Sequence, residues 1–174
     1  MRDAALAAGG LLNPRVGGPS VFPPQPDGVM NVGQMRRAWT TDAGPGRYRR
    51  GMYTYFWRAT PHPLFTLFDA PDGTRSCTRR FRSNTPLQAL TLLNDEAFVE
   101  CAKALATRVL EAEAEDDGRL DDVFKRCLGR APNPRERDRL RSLLDRQRAR
   151  GRDEAAWTTL ARVVLNLDEF LTRE

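Results

Sequence analysis

A lone histidine, His62, sits between two prolines in Thr60-Pro61-His62-Pro63, and the carboxylates Asp69 and Asp72 follow shortly after. A histidine oriented by a carboxylate is the arrangement of a general base, so His62 with Asp69 is the acid–base candidate of this chain. The flanking prolines favour a second reading: a rigid turn in which a structural hydrogen bond suffices for the ring. With one histidine and scattered acids, the sequence offers no metal-ligand set.

A second constellation is aromatic and basic. Tyr48, Arg49, Arg50, Met52, Tyr53, Tyr55, Phe56, Trp57 and Arg58 fall in one block, and Arg75, Arg79, Arg80 and Arg82 follow it. Aromatic rings stack on sugar rings or bases, and guanidinium groups fork onto carboxylate, phosphate or sulfate. Arg49, Arg50, Tyr53, Trp57, Arg58, Arg79, Arg80 and Arg82 therefore form the candidate ligand or anion surface, with an anionic glycan as its candidate partner. The competing reading is that the rings fill the core while the arginines pair with Asp69, Asp72 or carbonyls at helix ends. A third candidate is Asn84-Thr85-Pro86-Leu87-Gln88, a helix start beside the same arginines, which could receive an anion or simply cap the helix. No nucleic-acid reading motif accompanies these charges, and no nucleic-acid partner is expected.

Cys77, Cys101 and Cys127 are widely spaced, with no CxxC or CxxCH, which argues against zinc and against covalently attached haem within this chain. Cys101 and Cys127 lie in apolar helical patterns and read as small core residues. Cys77 lies in a basic loop that favours its thiolate. The 174 residues suffice for one domain with a real core, and the net charge of +5 rests almost wholly on arginine. No run of about 18 apolar residues occurs, so no membrane span is expected. Met1-Arg2-Asp3 and the short Ala/Leu stretch after it do not read as a signal peptide.

The elements that must position these residues divide into two styles. Residues 3–12 read as the end of a helix stopped by Asn13-Pro14. Residues 14–46 hold most of the Gly and Pro and read as a long loop laid over a core through Val21, Phe22, Val29, Met30, Val32 and Trp39. For residues 47–58 the spacing of positions 49, 52, 53, 56 and 57 predicts a helix, with a partial strand-like alternation. Residues 64–68 add a short helical turn. From Thr85 onward the signals are helical: 85–93; a longer helix capped at Asn94-Asp95 with Phe98, Cys101, Ala102, Leu105 and Val109 on one face; Leu120–Leu128 closed by Gly129; a helix from the Asn133/Glu136 capping box to about Ala149, burying Leu140, Leu143 and Leu144; and one from Glu154 to Leu171 with Trp157, Leu160, Val164, Leu167 and Leu171 on a stripe.

Several stretches together resemble one family. They are Gly17–Gly28 (GGPSVFPPQPDG), Tyr48–Thr54 (YRRGMYT), Trp57–Pro63 (WRATPHP), Phe68–Asp72 (FDAPD), Asn84–Asp95 (NTPLQALTLLND) and Leu165–Glu174 (LNLDEFLTRE). In this order and spacing the chain resembles the planctomycete-type domain of unknown function, family 1553. The resemblance implies a C-terminal position in long exported proteins, behind a second domain of unknown function and often a cytochrome-c-like domain. It thus implies an extracytoplasmic setting, haem only in an upstream domain of the parent, and the preceding part of the same domain as a partner. It carries no catalytic residues across.

The expected fold is mainly α, with a long Pro/Gly-rich N-terminal loop region packed on a C-terminal antiparallel helical bundle. Residues 1–84 form the loop-rich, aromatic and arginine-rich segment and 85–174 the bundle, together one incomplete domain, since Met1–Leu6 reads as a helix interior. The expected role is a non-catalytic structural or ligand-contact module without a cofactor of its own. The alternative is part of an enzyme or carbohydrate-binding domain acting on anionic polysaccharide, with catalytic residues partly elsewhere.

Overall fold

The computed structural model describes residues 1–31, 38–79 and 83–172. The protein is mainly helical: α1 (Arg2–Ala8), α2 (Pro63–Leu67), α3 (Pro86–Asn94), α4 (Glu96–Ala112), α5 (Asp116–Leu128), α6 (Pro134–Arg148), α7 (Asp153–Leu165) and α8 (Asp168–Leu171). Two compact units divide the chain. One comprises Met1–Leu11 with Leu92–Glu174, and the other Leu12–Thr91. No helix among the described residues is long and apolar enough to cross a membrane.

In the first unit, α4 packs against α1, α5 and α7, while α6 packs on α5 and α7. The apolar stripe of α4 explains why: Phe98, Cys101, Ala102, Leu105 and Val109 are all buried. Trp157 on α7, Phe124 on α5 and Phe170 on α8 fill the same core. The ends of the helices follow local rules. Asp95 Oδ1 accepts from the Ala97 amide at 3.0 Å and caps α4. Gly129 ends α5 at φ 74°, a left-handed position that suits glycine. Asn133 and Glu136 form a reciprocal capping box at α6.

Three boundaries differ from expectation. α1 ends at Ala8, before Asn13-Pro14, because Gly10 turns left-handed at φ 73°, while Gly9 lets the turn approach α4, since a side chain there would stand 2.9 Å from the Cys101 carbonyl oxygen. α5 begins at Asp116, ahead of Leu120, since Asp116 and Asp117 in the first turn complement the helix dipole. The expected helix from Glu154 to Leu171 is two helices. Leu167 turns extended at φ −68°, ψ 142° and starts α8, which sends Phe170 into the core and leaves Leu167 and Leu171 half-buried. Leu143 of α6 is likewise only half-buried.

The second unit has little regular structure and is organised by rings. Phe22 stacks on Tyr55 at 5.1 Å and meets Trp39 edge-on at 5.1 Å. Tyr55 continues to Trp57, Trp39 to His62, and His62 to Phe65 and so to Phe56. Such aromatic pairs add to simple area burial. Residues 47–58 are not a helix. They form two 3-10 turns, Gly44–Tyr48 and Gly51–Tyr53, separated by extended Arg49 and Arg50. Gly44, Pro45, Gly46 and Gly51 oppose a helix, and the extended backbone gains partners instead. Asn13 bridges Arg49 and Val21 bridges Thr54, both in parallel, with the Val21 amide donating to the Tyr53 carbonyl and the Tyr55 amide to the Val21 carbonyl, each at 2.8 Å. Val32 of the loop's apolar set lies outside the described residues.

Candidate functional site

His62 is the N-cap of α2, and both ring nitrogens meet the backbone. Nδ1 accepts from the Leu64 amide at 3.3 Å, which places the proton on Nε2, and Nε2–H donates to the Pro24 carbonyl at 3.0 Å. The ring is buried between Trp39 and Phe65. This geometry pins the Val21–Pro26 loop to α2.

Asp69 serves a different task. It stands at φ 54°, and its Oδ2 accepts from the Ser83 amide at 2.9 Å and hydroxyl at 2.6 Å. The buried Gln88 joins the same cluster, its Nε2 donating to Ser83 Oγ and to the Leu67 carbonyl. Thr85 and Gln88 bond each other's backbone amides in a capping box that starts α3. The Asn84–Gln88 motif is thus fastened to the end of α2. Asp72 closes an Asx turn on Thr74, whose amide and hydroxyl hold its carboxyl below the usual carboxylate range.

The candidate anion surface separates into unlike environments. Arg49 is buried, and its guanidinium donates to the carbonyls of Pro19, Gly17 and Arg15 while lying 3.7 Å from the Tyr53 ring centroid. Tyr53 in turn accepts from the Gly17 amide through its hydroxyl at 2.9 Å. This pair holds the Arg15–Pro19 segment. Trp57 is half-buried against Tyr55. Arg50, Arg58 and Arg79 are exposed. Arg80 and Arg82 lie outside the described residues.

One open cleft of about 480 Å³ lies within the second unit. Phe56, Pro61 and Phe65 give it apolar walls, and Asp69, Arg75, Cys77 and Arg79 bring polar groups to it. Of the sequence-derived candidates it gathers Asp69, Asp72 and Arg79; His62, Arg49 and Tyr53 do not line it. The sequence reading left out Phe65 and Pro61 as lining and did not single out Arg75. The available signal was the Phe56/Phe65 pair flanking a proline turn, which pattern alone assigns to core. Among the described residues, no group of three or more His, Cys, Asp or Glu side chains could hold a metal ion.

A family model described as PSD1: Protein of unknown function (DUF1553) matches residues 1–144, a stretch that ends within α6. Neither curated proteins nor solved structures give a match.

Proposed function

This chain belongs to the PSD1 family of proteins of unknown function (DUF1553), and from that premise we propose that it is a non-catalytic ligand-contact module whose cleft at Phe56–Arg79 takes an acidic sugar unit. The observation that carries this reading is the division of labour among its polar groups. His62 and Arg49 are bonded to backbone and hold loops. Arg75 and Arg79 stand exposed at the cleft, with no carboxylate paired to either among the described residues. Phe56 and Phe65 offer ring faces for a sugar, and the two guanidinium groups suit its carboxylate or sulfate. The family resemblance supports an extracytoplasmic setting for the parent and a haem-carrying domain upstream. Titration with glucuronate, a galactose sulfate and neutral galactose tests the cleft. Saturable binding of the acidic sugars alone is expected, weakened at least tenfold in R75A/R79A. Equal response to neutral galactose, or none to any sugar, overturns it.

A further inference from the structure

The first unit carries a second charged feature, on the outer face of α6. This helix holds six arginines against three carboxylates, and its arginines fall into two rows. Arg137, Arg141 and Arg148 face α5 and are paired. Arg137 bonds Asp121 at 2.5 Å, Arg141 bonds Asp117, and Arg148 grips Asp116 at 2.5 and 2.9 Å and Asp153 at 2.6 Å. Arg135, Arg139 and Arg146 lie on another face with Ser142 between them, at the four- and seven-residue spacings that keep side chains in line. All three are exposed; Arg146 donates to Ser142 Oγ at 3.1 Å, and among the described residues none of the three pairs with a carboxylate, although Asp138 and Asp145 lie on the same helix. Arg150 continues the unpaired row just past the helix end. Arg135 to Arg146 spans roughly 16 Å along the axis.

We propose that the row Arg135, Arg139, Arg146 and Arg150 binds a linear anionic polysaccharide along α6. Planar guanidinium groups in a straight row suit regularly repeated carboxylate or sulfate groups. No aromatic residue lies in the row for bases to stack on, which disfavours single-stranded nucleic acid. No large apolar side chain of α6 is exposed to enter a lipid surface. The row lies in the helical unit and does not depend on the cleft.

The test uses the full chain and a size-defined heparin oligosaccharide, with binding followed by calorimetry at two salt concentrations. Binding is expected to weaken with salt. It should fall at least tenfold in R135Q/R139Q/R146Q and by less in R135K/R139K/R146K, which keeps charge but loses the fork. K103Q/K125Q, which removes two exposed charges elsewhere, should stay within twofold, and R75A/R79A should leave oligosaccharide affinity at α6 intact. An unchanged triple-glutamine variant overturns the proposal, as does equal loss in K103Q/K125Q. Tighter binding to phosphatidylglycerol vesicles or to single-stranded DNA than to the oligosaccharide also overturns it.

Discussion

At the scale of single residues, the side chains best equipped for chemistry are mostly engaged in architecture. His62 uses one nitrogen to cap α2 and the other to hold the Pro24 carbonyl. Replacing it with alanine removes both bonds and a buried ring. We expect a loss of about 2–4 kcal/mol in stability, measured by denaturant unfolding. Wild-type stability in H62A would show the latch to be dispensable. The cysteines divide in the same way. Burial pushes the Cys101 thiol up to about 12, and Cys127 is buried, whereas Cys77 is exposed at the cleft. One thiol per chain should therefore react promptly with a disulfide reagent at pH 8 and the other two only on unfolding. Rapid titration of all three would contradict this packing. The sequence made the Cys101 and Cys127 assignments readable because each sits on a helical apolar stripe. It did not reveal what Arg49 does, because its carbonyl partners at Arg15, Gly17 and Pro19 lie about thirty residues away and leave no periodic trace.

At the scale of elements, helix starts were the most legible features, since a cap acts within four residues. The Asn133/Glu136 box is one such case, and Glu136 also takes both terminal nitrogens of Arg130, which reaches on to Glu169 of α8. N133A should lose about 1 kcal/mol of stability in thermal unfolding. The ion pairs that α6 makes with α5 and with the loop before it set a pH dependence. The Arg148 fork holds the Asp116 carboxyl below its ordinary value of 3.8, and Arg130 holds Glu136 below 4.5. A carboxylate whose folded pKa is depressed contributes its stability above the unfolded value and loses it as pH falls through the folded one. R148Q should thus be less stable than the parent at pH 7, by under about 1 kcal/mol because the pair is partly exposed. The difference should shrink as pH falls below 3.8 and vanish once Asp116 is protonated in the folded state as well; a gap that persists when the carboxyl is neutral would assign Arg148 a packing role. The element that sequence misread, residues 47–58, shows the opposite case. Its apolar spacing matched a helical face, but Gly51 and the bridges to Asn13 and Val21 decided the backbone, and a bridge partner more than thirty residues away is invisible to a local pattern.

At the scale of the whole molecule, mainly α character was evident from the helical signals after Thr85, while the ring-built unit was not, because rings that meet pairwise across a loop carry no period. Surface chemistry is also a property of the whole. Leu87 and Leu90 of α3 are 64% and 57% exposed. Changing both to glutamine should shift stability by no more than about 0.5 kcal/mol while lowering the binding of a hydrophobic dye; a large destabilisation would show that these side chains support α3. The placement of α1 has a further consequence for synthesis. The helix seats its Gly9 turn against Cys101 of α4, about ninety residues later in the chain. On a ribosome adding roughly 5–20 residues per second, the buried face of Ala5, Leu6 and Ala8 waits several seconds for its cover. During that interval the intervening residues emerge first, so the ring-built unit has the chance to form while the helical unit is still half made, and the nascent chain offers α1 to any holdase that reaches it before α4 does.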